Sequence, residues 1–252
     1  MAKSASSDPK KSSTESISVI LPIYNEEDCI QVVVEELAGV LEKLPYPTEI
    51  LMVDDGSADS TPEILQKLES DLADARYVPL PRNMGQSAAM LVGFRAATND
   101  VVVTMDADGQ NDPADIAALV EALDGHDVVC GYRPNRQDSG AKRYGSKLAN
   151  GIRSRFLNDG IRDTGCSLKA ARREFTAELP TWNGIHRFFP VYFQLQGAKI
   201  NQVPTNHRSR SAGESKYTNW GRLKKTIWDL FAVRWMASRW VDLRGLPEDD
   251  AK

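Results

Sequence analysis

Two carboxylates stand one residue apart in Thr104-Met105-Asp106-Ala107-Asp108-Gly109-Gln110, directly after the apolar run Val101-Val102-Val103 and just before Asp112-Pro113, which opens a helix. In extended backbone, alternation points Asp106 and Asp108 the same way. Two carboxylates held close repel each other unless a cation sits between them. An oxygen-only donor set of this kind suits Mg²⁺ or Mn²⁺, usually shared with a substrate phosphate. Taken alone, the same residues also read as an acidic turn before a helix N-terminus. The rest of the chain decides between the two.

The elements that must carry this pair alternate along the first half. Ile17 to Leu21 reads as a first strand ended by Pro22, and Ile30, Val33, Val34, Leu37, Val40, Leu41 and Leu44 recur at helical spacing between Glu26 and Leu44. Glu49 to Val53 is a second strand, Thr61-Pro62 opens a helix running to about Ala73, and Tyr77 to Leu80 is a short third strand. A helix from Gln86 to Ala97, the strand Val101 to Met105, a helix from Asp115 to Leu123 and the strand Asp127 to Gly131 complete the pattern. Such alternation predicts an α/β fold with a Rossmann-like, mostly parallel sheet flanked by helices. The strands end in Pro22-Ile23-Tyr24-Asn25-Glu26, Asp54-Asp55-Gly56, Arg82-Asn83 and Asp106-Ala107-Asp108, so these polar ends converge on one sheet edge, where α/β folds bind ligands. An edge this rich in carboxylates repels a nucleic-acid phosphate unless a metal intervenes.

Beyond Tyr132 the alternation stops. Gly140 to Asn158 reads as a basic helix, Asp163-Thr164-Gly165-Cys166 as a turn into an apolar-basic segment, Val191 to Gln196 as a helix and Ile200 to Val203 as a strand. Trp220 to Trp240 reads as an amphipathic C-terminal helix with Leu223, Ile227, Leu230, Phe231 and Trp235 near one face. The net charge of −4 conceals an asymmetry: residues 1–131 carry 8 Lys+Arg against 24 Asp+Glu, residues 132–175 carry 11 against 4, and residues 207–244 carry 9 against 3. Basic blocks of this kind favour nucleic acid, a phosphorylated substrate or an anionic membrane surface, and composition alone does not separate these from a solvated face. Cys29, Cys130 and Cys166 match no zinc or redox spacing, and Cys29 and Cys130 sit in apolar contexts, which fits a reducing compartment. Residues 1–16 are Ser- and Lys-rich with no apolar core for a signal peptide, and are expected to be a disordered tail.

Taken in order, Pro22 to Glu26, Val53 to Ser57, Arg82 to Gln86, Asp106 to Gln110, Asp163 to Cys166, His186 to Pro190, and His207 to Arg210 with Gly213 to Tyr217 resemble a family 2 glycosyltransferase with the GT-A fold. The likeness is to the branch of the polyprenyl-phosphate (dolichol-phosphate) mannose synthases and their bacterial relatives. It implies a catalytic domain over residues 17–218, an amphipathic membrane-interface helix over 219–244 and a tail from 245 to 252. It also implies a nucleotide-diphosphate sugar as donor. Pro22, Tyr24 and Glu26 would contact the nucleoside, Asp54 or Asp55 the base, and Asn83 would line the same site. Asp106 and Asp108, with Gln110 beside them, would hold Mg²⁺ or Mn²⁺ on the diphosphate, and Arg208 and Lys216 would close over it from a basic loop. Arg133 and Arg143 match the acceptor-phosphate positions. Asp163 matches a catalytic-site carboxylate that positions the acceptor or the sugar hydroxyls, and Asp108 joins it as catalytic through the metal. His186 is expected to be structural or a sugar contact, and Arg136, Arg153 and Arg155 to be solvated.

The resemblance implies an inverting transfer of a hexose, mannose from GDP-mannose being the main reading, to a polyprenyl or dolichyl phosphate. The alternative is a UDP-sugar-dependent enzyme moving glucose, N-acetylglucosamine or aminoarabinose to the same class of lipid. A nucleotidyltransferase would carry a Gly-rich phosphate loop after the first strand, which Pro22 to Glu26 is not. An idle sugar-nucleotide-binding module is a further rival, opposed by Asp106, Asp108, Arg133, Arg143 and Lys216 all being present. No apolar run reaches the roughly 18 residues of a membrane span. Tryptophans interleaved with Arg222, Lys224, Lys225, Arg234 and Arg239 suit the lipid headgroup boundary instead. The expected location is peripheral, at the cytoplasmic face of the membrane. The alternative is a helix packed on the domain or on a partner membrane subunit, and a homo-oligomer is a further candidate assembly.

Overall fold

The structure is a computed structural model, and it describes residues 16–134, 151, 153–209 and 219–241, with the backbone alone for 219–226. Seven strands form one sheet: β1 (Ile17–Ile23), β2 (Thr48–Asp54), β3 (Ala75–Pro79), β4 (Val101–Thr104), β5 (Val128–Tyr132), β6 (Lys169–Arg172) and β7 (Ile200–Pro204), in the order β3-β2-β1-β4-β6-β5-β7. The helices are α1 (Ile30–Leu41), α2 (Thr61–Asp71), α3 (Gln86–Ala96), α4 (Asp115–Glu121), α5 (Phe189–Leu195) and α6 (Asn219–Ser238).

Both sheet faces are covered, so the central strands are nearly continuous apolar runs rather than alternating ones. Val19, Leu21, Val103 and Met105 meet Ile30, Leu37, Leu65, Ile116 and Leu119 on one face. Ile20, Leu51 and Val102 meet Ala89, Phe94, Phe189, Tyr192 and Phe193 on the other. Helix α3 lies so close to β1 that a Cβ on Gly93 would stand 2.4 Å from Ile20 Cγ2.

The parallel pairs β1·β2, β2·β3 and β1·β4 follow the expected alternation. Strand β6 does not. The segment after Cys166 read as an irregular apolar-basic stretch, yet Lys169–Arg172 inserts antiparallel between β4 and β5. Lys-Ala-Ala-Arg carries no β-branched or aromatic residue to mark a strand. Pairing on both sides makes this one.

Helix α6 also departs from expectation. Leu230, Val233, Met236 and Trp240 turn inward onto the second core, whereas Ile227, Trp228, Phe231 and Trp235 face outward. The apolar residues therefore divide between two faces, with Trp228 74% and Trp235 64% exposed. Among the described residues no helix is long and apolar enough to cross a membrane. Residues 1–15, the 140–150 part of the expected basic helix, and the tail from 245 lie outside the described residues.

Candidate active site

The parallel strands deliver their carboxyl ends to one edge, and the loops there are stitched to one another. After β1, Asn25 takes a left-handed backbone (φ 52°). Its N–H donates to Ser57 Oγ at 2.8 Å, and its side-chain oxygen accepts from the Ala58 N–H at 2.8 Å. The Glu26 N–H donates to Thr61 Oγ1 at 3.0 Å. These bonds fix the β1 loop against the β2 loop and leave Pro22, Tyr24 and Glu26 half-buried along the crevice between them. In the sequence, Asn25 and Ser57 stand inside motifs and Thr61 at a helix start, and none of them is given a part in the site.

Asp54 and Asp55 are both buried and already occupied. Asp54 accepts from the Ser57 N–H (2.9 Å), Ser57 Oγ (2.6 Å) and Tyr77 Oη (3.2 Å). The nearby carboxylate helps push the Tyr77 phenol up to about 12, after burial as the larger cause. Asp55 accepts from the Met84 N–H at 2.7 Å and the Gly85 N–H at 2.8 Å, so it clamps the loop that carries Asn83 and starts α3. Burial raises the Asp55 carboxyl above its usual range despite those bonds. Gly56, at φ +69°, lets the clamp close: a Cβ there would lie 2.4 Å from the Arg82 carbonyl carbon. Asn83 itself is exposed on this loop.

Past β4 the alternation continues. Met105 and Ala107 are buried in the core, while Asp106 and Asp108 are partly buried at the crevice. Asp108 Oδ1 accepts from the Gln110 N–H at 3.1 Å, and Gln110 O accepts from the Arg208 N–H at 2.9 Å. Asp106 Oδ1 accepts from Gln86 Nε2 at 2.9 Å, and its N–H donates to Asn111 Oδ1 at 3.2 Å. Asn111 Oδ1 also takes the Ser167 hydroxyl at 2.9 Å. Burial drives the Asp106 carboxyl above its ordinary range and the Asp108 charge adds to this, while Ser167, Lys169 and Arg133 oppose it. A carboxylate whose proton affinity a neighbouring carboxylate raises belongs to a donor set that a cation would relieve. Among the described residues no group of three His, Cys, Asp or Glu side chains converges. Two carboxylates are what this edge supplies, so further oxygen ligands to a cation would come from a bound molecule or water.

Arg133 and Asp163 are brought together directly. Arg133 Nε and Nη2 donate to the two Asp163 oxygens at 2.8 and 3.1 Å, a bidentate pair with side chains only 12% and 9% exposed. Burial pulls the Arg133 guanidinium down, but Asp163 more than offsets this. The fork that was assigned to an acceptor phosphate is thus engaged by the residue assigned to catalysis. Arg153 corrects an expectation outright. It is not solvated but buried, ion-paired with Asp159 and bonded to Ile161 O, because the chain folds Asp159 back beneath it.

Arg208 lies at the rim, where its guanidinium binds both Glu36 oxygens (2.8 and 2.9 Å) on α1 and Asp112 Oδ1 (2.8 Å). Its backbone reaches Gln110 on the metal-candidate loop, and its charge is held by Glu36 and Asp112. His186 Nδ1 lies 2.7 Å from Ser87 Oγ, which also accepts the Gly184 N–H at 2.8 Å, a structural junction behind Gln86. Arg143 and Lys216 fall outside the described residues. Sequence reasoning gave no role to Gln86, Asn111, Ser167 and Lys169. Gln86 ended a motif it singled out, whereas the other three had no local signal.

A family model described as glycosyl transferase family 2 matches residues 18–179. The undecaprenyl-phosphate 4-deoxy-4-formamido-L-arabinose transferase of Pectobacterium carotovorum subsp. carotovorum (strain PC1) is 37% identical over 206 residues, covering 81% of this chain and 63% of that protein. The like-named protein of Pseudomonas fluorescens (strain Pf0-1) is 37% identical over 217 residues, covering 85% and 63%. This chain thus spans somewhat less than two thirds of the curated relatives it matches. Among solved structures, glucosyl-3-phosphoglycerate synthase from Mycobacterium tuberculosis with Mn²⁺, uridine diphosphate and glucosyl-3-phosphoglycerate superposes with a TM-score of 0.67 at 21% identity, covering 91% of this chain and 82% of that one. The same enzyme with phosphoglyceric acid gives 0.68 at 21% identity and the same coverage. At that identity the likeness shows the fold, which is GT-A-like.

Proposed function

The chain belongs to glycosyltransferase family 2, and from that premise we propose that it moves a sugar from a UDP-linked donor to the phosphate of a polyprenyl lipid. The observation that carries the reading is the Asp106/Asp108 pair beyond the carboxyl end of β4, beside the stitched β1 and β2 loops. The relatives named as undecaprenyl-phosphate transferases support the lipid acceptor, and the solved structures holding uridine diphosphate support the base. The expectation of mannose from GDP-mannose has no such backing. Its alternative, a UDP-sugar and in particular an arabinose derivative, is favoured.

The chemistry follows from the charges. An acceptor phosphate oxygen is already an anion at neutral pH, so it attacks the anomeric carbon without a strong general base. The bond from that carbon to the donor diphosphate breaks as the new one forms, and a single displacement inverts the configuration. Asp106 and Asp108, with Gln110 beside them, would hold Mg²⁺ or Mn²⁺, which offsets the charge of the departing diphosphate. Pro22, Tyr24 and Glu26 line the nucleoside side of the crevice. Asp55 acts at one remove by holding the Asn83 loop and the start of α3. Asp163, fixed by Arg133, is positioned to orient the acceptor or a sugar hydroxyl.

A lipid acceptor needs a route to the bilayer. The outward stripe of α6, Trp228, Phe231 and Trp235 with Arg234 and Arg239 alongside, suits the headgroup boundary, where tryptophan and basic residues partition together. Incubating the protein with Mn²⁺ and a panel of UDP- and GDP-sugars, with and without undecaprenyl phosphate, tests the reading. Release of uridine diphosphate only when the lipid is present is the expected outcome. Release from GDP-mannose alone, or no release from any donor, refutes it.

A further inference from the structure

Lys169 is a buried lysine that the reading above leaves without a task. It is 6% exposed and belongs to β6, the strand that sequence periodicity missed. In the antiparallel β4·β6 pair it stands directly opposite Thr104. Continuing that register by one step on the same face sets Ser167 opposite Asp106, and the Ser167 hydroxyl and the Asp106 N–H both donate to Asn111 Oδ1. Lys169 is therefore the diagonal cross-strand neighbour of Asp106, a relation that places Cβ atoms about 7–8 Å apart and within reach of a long side chain. Its ammonium donates to Cys166 O, and its strand neighbours Cys130 and Ala171 are apolar.

The other two cations buried nearby are committed, Arg133 to Asp163 and Arg153 to Asp159. Among the described residues Lys169 makes no ion pair. At the separation set by the β4·β6 register, a buried ammonium is little screened and its charge acts on Asp106. A fixed positive charge beneath two carboxylates stands in for part of a metal ion when none is bound, and repels the ion when one arrives.

Resting on the metal-assisted transferase reading, we propose that Lys169 is a positioning residue that weakens the hold of Asp106 and Asp108 on their divalent cation, so that the metal and nucleoside diphosphate leave together after transfer. The sign of the effect separates this from a packing role. Damage to the fold loosens metal binding, whereas loss of a repelling charge tightens it.

The test measures Mn²⁺ affinity in the presence of UDP, from the paramagnetic resonance signal of free Mn²⁺, with thermal melts in chelator as a check on folding. Lys169→Gln keeps a donor for Cys166 O and removes the charge; Lys169→Met, matched to its apolar neighbours, replaces it if the first does not fold. Lys169→Arg keeps the charge. The neutral variant should bind Mn²⁺ roughly tenfold more tightly, the order expected for one screened charge at this separation. Lys169→Arg should stay within about twofold of the parent on the same scale. A folded neutral variant with unchanged or weaker affinity overturns the proposal. So does loss of fold in both neutral variants, since a tuning charge is dispensable to packing. If the parent itself fails to bind Mn²⁺ with UDP present, the metal reading falls, a result distinct from the other two.

Discussion

Replacing Arg133 by methionine separates two roles that its position supports. Its guanidinium makes two hydrogen bonds to Asp163, at 2.8 and 3.1 Å, and both side chains are close to fully buried. Removing one partner of a buried ion pair typically costs about 3–5 kcal/mol, because the other charge is left without compensation. Here Asp163 keeps the Gly165 N–H at 3.2 Å and a long contact to the residue 133 N–H at 3.4 Å. Those remaining donors place the expected loss at the lower end, about 3 kcal/mol. Converting both partners, Arg133→Met with Asp163→Leu, removes the orphaned charge and should recover most of it, for a coupling energy of about 2–3 kcal/mol in the double-mutant cycle. Urea unfolding in chelator, with the slope checked for constancy across the four proteins, reads these values. A single variant that loses less than about 1 kcal/mol yet no longer uses the lipid acceptor would refute the reasoning. Arg133 would then be serving a phosphate and not Asp163.

Asp106→Asn should lower turnover by roughly 100-fold or more. In chelator it should melt at or above the parent temperature. The sign follows from the raised carboxyl: the ionised form is disfavoured in the fold, so the stability tied to Asp106 is full below its unfolded value and lost as pH climbs through the folded one. The variant should therefore show a flatter decline of melting temperature with rising pH, and a steeper one would contradict the assignment. Gly56→Ala should cost about 3 kcal/mol or more in urea unfolding, since a φ of +69° is added to a 2.4 Å clash with Arg82 backbone; a loss under about 1 kcal/mol would mean the Asn83 loop is not held against β2. Trp228→Ser with Trp235→Ser should leave the melt unchanged, both side chains being mostly exposed, while abolishing sedimentation with anionic liposomes. Retained sedimentation would move the membrane contact elsewhere.

Strands β1 to β5 and helices α1 to α4 were legible because each carries a long enough periodic or continuous apolar run, and the parallel order then fixes where their polar ends meet. Asp106, Asp108, Tyr24 and Glu26 were legible for the same reason, as residues leaving strand ends. What stayed hidden was set by pairing across the sheet. Lys169, Ser167 and Asn111 are polar residues in short or irregular segments, which read as loop until β6 slots between β4 and β5. Gln86 ended a motif without an assigned partner, because nothing local says that its amide reaches Asp106. The α6 stripe misled differently: Leu230 and Phe231 are adjacent in sequence, yet one packs on the core and the other faces out.

The charge asymmetry carries a further lesson about composition. Residues 132–175, with their excess of 11 basic over 4 acidic residues, read as a surface block awaiting an anionic ligand. Three of those basic residues instead turn inward: Arg133 to Asp163, Arg153 to Asp159, and Lys169 to the Cys166 carbonyl, where its charge opposes the rise in the Asp106 carboxyl. The acidic partners come partly from the same block and partly from the acidic first half. Part of the imbalance is thus internal neutralisation, the condition for keeping several carboxylates beneath one sheet edge without water. Phosphate recruitment must rest on residues still free to meet solvent. A substitution series that neutralises Arg133, Arg153 or Lys169 should accordingly change folding or metal affinity before it changes the response to salt.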